Sequence, residues 1–187
     1  MRLEYLVKEV EDKMLEKILE NGTMEGEEAK KTASIVALSA LKYGDLSNQA
    51  SKDYIFDIDR FTSAEGNTGP YILYTIVRIK SILNKASYSV DDARILPAGS
   101  ESEKALQLEL TKFMAALSAA YEDMAPHKIC AYIYDLANAF NRFYHDTKIL
   151  AEEDQAKKAS YLKLLYLTKG VLETSIDLLG FKAPERM

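Results

Sequence analysis

In the stretch Asp53–Leu83, DYIFDIDRFTSAEGNTGPYILYTIVRIKSIL, a short extended run meets a glycine-rich loop that opens a long helix. Tyr54, Phe56 and Ile58 alternate with polar neighbours over too few residues for a helix, which predicts an extended connector or short strand. Pro70 ends the loop, and proline suits the first turn of a helix, where its missing N–H costs nothing. Apolar residues then recur at helical spacing, at Ile72, Ile76, Ile79 and Leu83.

Helical periodicity precedes this stretch as well. An apolar stripe at three- and four-residue steps predicts a first helix, with Asn21-Gly22 at its end: Leu3, Leu6, Val7, Val10, Met14 and Ile18. A second helix is predicted from Gly26 to Tyr43, and its apolar face is rich in alanine. Small side chains on that face allow a close approach between helices.

Three more helices are predicted after a linker-like stretch at residues 87–101. Ser100 and Glu103 form a capping box for the fourth helix, whose apolar face we expect to run to Ala125-Pro126: Leu106, Leu110, Phe113, Leu117 and Tyr121. The fifth helix carries Ile129 to Phe143. The sixth carries Leu162 to Leu179, with Gly180 placed to end it in a left-handed conformation. The predicted fold class is all-α, a helical bundle.

Composition agrees with a globular helical protein and excludes some other classes. Hydrophobic residues make up 48% of the 187 positions, with only four prolines and eight glycines. The single cysteine, Cys130, excludes an internal disulfide and a thiolate zinc cluster, which fits a reducing cytoplasm. No apolar run approaches the roughly 18 residues of a membrane span, and there is no signal-peptide core. We therefore expect a soluble, cytoplasmic chain.

The net charge of −5 is unfavourable for a nucleic-acid partner, because phosphate contacts need lysine and arginine. Residues 1–30 hold five basic and nine acidic side chains, so the other 157 residues carry a net charge of only −1. Basic residues recur on the helix after the loop and toward the end of the chain: Arg78, Lys80, Lys85, Lys157, Lys158, Lys163, Lys169, Lys182 and Arg186. A local basic face is compatible with this distribution, as are solvated helix faces.

Three segments in order resemble the arginyl-tRNA synthetase family. The loop Glu65–Pro70, followed by Tyr71, Tyr74, Arg78 and Ser81-Ile82, resembles the family's segment between the catalytic body and the anticodon-binding part. Asn141–Tyr144 and the closing residues Leu178–Met187 match two further family segments. The resemblance covers essentially the whole chain, but only the last third or so of such an enzyme.

The resemblance implies a fragment of a larger class I enzyme. HIGH-like and KMSK-like signatures are absent from the sequence, and Leu3–Leu6 resembles the helix after the family's KMSK-like loop. We expect residues 1–61 to be a helical connecting segment and residues 62–187 the anticodon-binding bundle. The implied partners are arginine tRNA and the parent's catalytic domain, with no membrane and no DNA. ATP and magnesium are implied for the parent as an arginine–tRNA ligase, and neither a cofactor nor a catalytic residue is expected here.

The glycine-rich loop is the first candidate contact with tRNA. Its glycines adopt positive φ cheaply and let a backbone approach a ligand, although a tight turn before a helix has the same composition. In the family this loop packs against the anticodon arm, which brings in Glu65, Gly66, Asn67, Thr68 and Gly69. Arg78, two turns into the helix, would reach a phosphate; its structural alternative is a salt bridge.

Tyr144 and Met187 are the sharpest candidates. Periodicity alone places Tyr144 beside the apolar stripe of the fifth helix, as a core residue. In the family the matching tyrosine and the terminal methionine help to form a pocket for an anticodon base, which suits recognition of splayed bases by stacking. Asn141, one turn earlier, would add a base-edge hydrogen bond, and Arg186 next to Met187 joins the tRNA-binding set. Which anticodon base is read is left open.

Other readings of the residues remain open. Asp57 and Asp59 favour helix capping and salt bridges with Arg60 over a metal site, and the remaining soft ligands lack zinc spacing: His127, His145 and Cys130. An interaction scaffold would explain the acidity and the helices equally well, whereas a stand-alone enzyme finds no catalytic constellation here. Three positions depart from the family pattern by lacking its usual polar side chain: Leu73, Ile76 and Tyr161.

Overall fold

The computed structural model describes residues 2–22, 24–89 and 93–187. In these ranges the chain forms eight α-helices and one 3₁₀ turn: α1 (Leu3–Glu20), α2 (Gly26–Leu46), α3 (Ile58–Phe61), α4 (Gly69–Lys85), α5 (Glu101–Thr111), α6 (Phe113–Glu122), α7 (His127–Asp146), the 3₁₀ turn (Ile149–Ala151) and α8 (Gln155–Leu178). No strand occurs in the described ranges. The predicted all-α fold is confirmed.

Helices α1 and α2 pack along each other as an antiparallel pair. The predicted stripe of α1 is buried through Val10, Met14 and Ile18. The helix ends where the sequence predicts, because Gly22 takes a φ of +63°, a conformation that glycine adopts without steric cost.

Helix α4 crosses α2 at a point of very close contact. A Cβ atom built on Gly69 would lie 2.2 Å from the backbone oxygen of Ser39. Only a glycine permits this approach. The contact places the first turn of α4 against the middle of α2, and thereby fixes the position of the glycine-rich loop that precedes it.

One hydrophobic core runs through α1, α2, α4, α5, α7 and α8. Its largest fully buried side chains come from five of these helices: Tyr43, Phe140, Phe143, Ile72, Leu73, Ile76, Ile79, Leu106, Ile133, Leu136, Leu164 and Leu165. Each apolar side chain of this size contributes about 1.5–3 kcal/mol when buried. Residues before position 62 thus share their core with the bundle that follows.

The prediction of one continuous fourth helix is wrong, because the chain forms two helices there, α5 and α6, which meet at Lys112. The carbonyl of Glu109 accepts a hydrogen bond from Lys112 N, 3.1 Å away, and another from the Tyr132 hydroxyl, also 3.1 Å away. In an unbroken α-helix, the carbonyl of Glu109 would instead accept a hydrogen bond from Phe113 N. Tyr121 was expected on the buried face, but the turn moves it to the surface, where it is 83% exposed.

The capping box of α5 is confirmed with one adjustment. Glu103 N donates to Ser100 Oγ at 3.2 Å, while the Glu103 carboxylate accepts from Gly99 N rather than from the cap residue itself. The preceding linker is tied down, since Leu96 N donates to Ser160 Oγ of α8. Residues 90–92 of the predicted linker lie outside the described residues.

The extended connector is correct as far as Asp57, after which a single helical turn, α3, begins at Ile58. Asp57 caps this turn by accepting from Arg60 N at 3.1 Å, as predicted. The expected salt bridge of Asp59 with Arg60 is wrong, because Asp59 pairs with Lys13 of α1. The Arg60 guanidinium lies instead over the ring of Phe61.

Helix α8 ends at a glycine cap, as predicted, with Gly180 at a φ of +82° and Phe181 N donating to Ile176 O at 3.1 Å. The residues from 181 to 187, here called the 181–187 segment, lie against α4, and Phe181 is 2% exposed. Among the described helices, none is both long and apolar enough to cross a membrane.

Candidate nucleic-acid interface

A groove of about 590 Å³ opens between α4, the end of α7 and the 3₁₀ turn. We call it the α4–α7 groove. Its lining comprises Tyr74, Val77, Arg78, Ser81, Ile82, Lys85, Tyr144, His145, Thr147, Lys148, Ile149, Leu150, Ala151 and Met187. Three residues predicted from the sequence, Arg78, Tyr144 and Met187, therefore meet in one concavity, although Arg78 and Met187 are more than a hundred positions apart.

Two tyrosine rings and one guanidinium form a stack at the mouth of the groove. The guanidinium carbon of Arg78 lies 4.6 Å from the ring centroid of Tyr74 and 5.2 Å from that of Tyr144. Tyr144 also stacks on the buried ring of Phe140, at 6.0 Å between centroids. With 40% of its surface exposed, Tyr144 is no core residue, so the structural alternative drawn from periodicity is wrong.

The Asn141 side chain holds Arg78 in place. Its Oδ1 accepts from Arg78 Nη1 at 2.7 Å, and its Nδ2 donates to the Tyr71 hydroxyl at 2.9 Å and to Thr75 Oγ1 at 3.2 Å. Burial raises the pKa of Tyr71, which keeps this hydroxyl protonated. The amide is thus committed to neighbours on α4 rather than turned toward the groove. Arg78 makes a hydrogen bond here in place of the salt bridge considered as its alternative.

The charge of the groove is opposite to that of the whole chain. Among its lining residues, all within the described ranges, Arg78, Lys85 and Lys148 are basic and none is acidic. The chain as a whole has a net charge of −5. Lysine and arginine beside exposed aromatic rings are the combination that binds the backbone and the bases of single-stranded nucleic acid.

The glycine-rich loop divides into an exposed tip and a buried base. Glu65, Gly66 and Asn67 are exposed, and Gly66 has a φ of +80°. Thr68 is 3% exposed and caps α4 by accepting from Tyr71 N at 3.2 Å. Gly69 is buried against Ser39, as described above. The tip can therefore meet a ligand, whereas Thr68 and Gly69 shape the loop.

Tyr43 anchors the exposed tip to the interior. Its hydroxyl lies 2.6 Å from Asn67 Oδ1 and 2.9 Å from the Cys130 carbonyl oxygen at the start of α7. Tyr43 is fully buried, and burial raises the pKa of its phenol well above the usual range. A neutral, hydrogen-bonding hydroxyl thus links the loop, α2 and α7.

Arg186 lies outside the groove lining. Two nitrogens of its guanidinium donate hydrogen bonds to the carboxylate of Glu28 on α2, and Nε lies 2.6 Å from Oε1. The guanidinium holds the pKa of the Glu28 carboxyl below its usual range. Met187, the next residue, is half-buried and does line the groove.

Several lining residues of the groove are not among the site residues predicted from the sequence. Tyr74 and Lys85 share a face of α4 with Arg78, so helical spacing alone would have identified them. Lys148 and the 3₁₀ turn follow the end of α7, and no local signal marks their return toward α4. Tyr43 carries no signal either, because its role depends on a partner in another helix.

The potential metal ligands of the sequence do not converge. No group of three or more histidine, cysteine, aspartate or glutamate side chains with metal-site geometry occurs among residues 2–22, 24–89 and 93–187. Cys130 is fully buried, and burial raises the pKa of its thiol to about 12. His145 lines the α4–α7 groove, and His127 opens α7 at its opposite end.

Two family models match the chain. A model described as DALR anticodon binding domain matches residues 72–187. A second, described as the catalytic domain of class I tRNA synthetases for arginine, matches residues 1–58. The first match contains the whole lining of the α4–α7 groove.

Curated relatives agree with these matches. The arginine–tRNA ligase of Agathobacter rectalis is 63% identical over 198 residues, an alignment that covers 100% of this chain and 33% of that protein. The arginine–tRNA ligase of Alkaliphilus oremlandii is 50% identical over 190 residues, covering 100% of this chain and 32% of that protein. The chain spans about a third of the length of these relatives.

Solved structures of two more distant proteins have the same fold. Thermus thermophilus arginyl-tRNA synthetase superposes with a TM-score of 0.91 at 29% identity, covering 100% of this chain and 32% of that one. The Plasmodium falciparum enzyme superposes with a TM-score of 0.89 at 31% identity, covering 100% of this chain and 34% of that one. The arrangement of helices is thus kept although most side chains differ.

Proposed function

This chain belongs to the arginyl-tRNA synthetase family, with its DALR anticodon-binding domain at residues 72–187, and from that membership we propose that it binds the anticodon arm of arginine tRNA. The α4–α7 groove is the proposed binding site. The observation that carries the proposal is the arrangement of Tyr74, Arg78 and Tyr144, two exposed rings around a guanidinium, in a groove whose described lining residues include no acidic side chain.

The proposed recognition acts on unstacked bases. An anticodon loop presents bases whose faces are free to stack on aromatic side chains, and each such contact contributes about 1–3 kcal/mol. Tyr144 provides a ring at the groove mouth, and Met187 provides an apolar wall. A base inserted between them would lose its contacts with water and gain contacts with the tyrosine ring and the methionine thioether. Arg78, Lys85 and Lys148 supply the positive charge that the neighbouring phosphates require.

We propose a second, weaker contact at the loop tip formed by Glu65, Gly66 and Asn67. About nine residues of α4 separate this tip from Arg78, which at 1.5 Å per residue corresponds to about 14 Å. That span suits successive nucleotides of one strand. Thr68 and Gly69 act in this proposal by shaping the loop, and Asn141 acts by orienting Arg78.

The contribution to aminoacylation would be positional. Holding the anticodon arm fixes the direction in which the acceptor end of the tRNA points, so binding energy is used to orient the reacting end. In the whole enzyme, ATP and magnesium would act in the catalytic domain, of which residues 1–58 match one part. We expect this chain alone to form no aminoacyl-adenylate from ATP and arginine.

The test is a fluorescence titration of the chain with arginine tRNA and with a non-cognate tRNA, at two salt concentrations. Tyr144→Ala should lower the affinity for arginine tRNA by about tenfold or more, because one base loses its stacking partner. Tyr121→Ala is the matched control, since it removes a tyrosine that is 83% exposed on α6, outside the groove. It should leave the affinity unchanged.

Equal affinity for the two tRNAs, vanishing in high salt, would contradict the proposal and leave only generic attraction. An interaction scaffold would then be the better description. The feature that favours a scaffold is the exposed apolar surface of α6 and its C-terminal turn, where Met114, Tyr121 and Met124 are all more than half exposed. In that case Tyr121→Ala, rather than Tyr144→Ala, would weaken partner binding.

A further inference from the structure

The 181–187 segment reaches the α4–α7 groove without regular secondary structure. Residues 182–187 donate no hydrogen bond to the backbone of another described residue. Two of its apolar residues, Phe181 and Pro184, are buried. The position of Met187 beyond Pro184 therefore depends on side-chain contacts.

The first of these contacts is made by Lys80 of α4. Its Nζ lies 2.8 Å from Glu185 Oε1 and 3.4 Å from the carbonyl oxygen of Pro184. Glu173 of α8 approaches the same ammonium at 3.4 Å. The Lys80 side chain is only 12% exposed, so this charge is shielded from water while it is shared by α4, α8 and the segment.

The second contact is the bidentate ion pair of Arg186 with Glu28. It joins residues 158 positions apart and ties the segment to the first turn of α2. A guanidinium that meets a carboxylate with two parallel N–H groups fixes direction as well as distance. Arg186 thus points toward α2, while its neighbour Met187 lines the groove.

We infer that the ion pairs Lys80–Glu185 and Arg186–Glu28 are positioning contacts that hold Met187 in the wall of the α4–α7 groove. This inference rests on the proposed function for its consequence, which is that the pairs set how well the groove accepts an unstacked base. It assigns Arg186 a role through Glu28, rather than through a direct contact with RNA. Glu28 lies in the part of the chain matched by the catalytic-domain model.

A charge swap separates the two roles of Arg186. If it acts through the ion pair, Glu28→Arg and Arg186→Glu should each lower the affinity for arginine tRNA by about fivefold, as expected for the loss of an exposed ion pair. The double variant E28R/R186E should restore the affinity. If Arg186 instead contacts a phosphate, Glu28→Arg should raise the affinity or leave it unchanged, and the double variant should not recover; that result would overturn the inference.

Glu27→Arg is the matched control, because it introduces the same charge change one residue away, at a glutamate that pairs locally with Lys30. It should leave the affinity unchanged. Thermal melting of every variant should stay close to the wild type, since the exchanged side chains lie at the surface. A uniform loss of stability would show a merely structural role and would also overturn the inference.

A readout without RNA keeps this test independent of the proposed function. The chain has six methionines, and the methyl NMR signal of Met187 can be assigned with Met187→Leu. Glu28→Arg and Lys80→Met should each move this signal toward its solvent-exposed position, and E28R/R186E should return it. An unmoved signal overturns the positioning role. A signal that moves, in a chain without cognate preference, would refute the proposed function alone.

Discussion

The guanidinium of Arg78 lies over both the ring of Tyr74 and the ring of Tyr144, at 4.6 and 5.2 Å from their centroids, and Asn141 holds it there with a hydrogen bond. The charge and the two rings therefore form one unit. A planar guanidinium can stack on two faces and donate a hydrogen bond in its own plane at the same time, which a lysine ammonium cannot do.

Arg78→Lys should accordingly weaken tRNA binding although the charge is kept. The loss of stacking and of the bond to Asn141 predicts about a tenfold drop in affinity. The measurement is the same fluorescence titration at constant salt. Arg142→Lys, an exposed arginine on α7 that does not line the groove, serves as the control and should bind like the wild type. Equal affinities for both variants would mean that Arg78 contributes only charge.

Gly69→Ala should destabilise the fold by about 2–3 kcal/mol, because the added methyl group would meet the Ser39 carbonyl 2.2 Å away and force α4 from α2. Urea unfolding followed by circular dichroism measures the change. Gly170→Ala, in the middle of α8 with no atom within 4 Å of the new methyl, should instead stabilise the protein by up to about 1 kcal/mol. Similar values for the two variants would refute the close contact.

Met124→Gly should stabilise the protein by about 0.5–1 kcal/mol. Met124 closes α6 with a φ of +48°, a left-handed conformation that costs a side-chain-bearing residue about 1–2 kcal/mol and glycine very little. The side chain is 88% exposed, so little packing is lost. Met114→Gly, inside α6 and 65% exposed, should destabilise by about 1 kcal/mol in the same urea experiment. A loss of stability in both variants would contradict the prediction.

Cys130 should react with thiol reagents only as the protein unfolds. Its pKa of about 12 leaves a thiolate fraction of about one in ten thousand at pH 8, and no part of the side chain is exposed. Because the folded pKa lies above that of the unfolded chain, the unfolded state loses its proton first and stability falls as the pH rises above about 9. Labelling rates at increasing urea should follow the unfolding curve. Rapid labelling without urea would contradict the buried position.

Most of the helices follow from local patterns. The apolar stripes of α1, α4, α7 and α8 recur at helical spacing. Helix α1 ends at Asn21-Gly22 as predicted, and Gly180 ends α8 in the predicted left-handed conformation. These features are set by residues within a few positions of one another. Local sequence therefore carries enough information to predict them.

The features that escaped prediction depend on distant partners. The turn at Lys112 forms where the Tyr132 hydroxyl, from another helix, donates a hydrogen bond to the Glu109 carbonyl oxygen. The partner of Arg186 is 158 positions away. Tyr144 lies next to the apolar stripe of α7, and whether such an edge residue is buried depends on what α4 places opposite it. Spacing within one helix carries no information about that neighbour.

The single core also has a mechanical consequence. The regions matched by the catalytic and anticodon-binding models meet between residues 58 and 72. Helix α2 lies in the first region, yet it packs closely against α4 at Gly69. It is also linked to α7 by the hydrogen bond from the Tyr43 hydroxyl. The two matched regions are therefore joined by direct packing and hydrogen bonding, and not by the connecting chain alone. We therefore expect a displacement of α2 to be transmitted to α4 and α7, and through these two helices to the groove that they line.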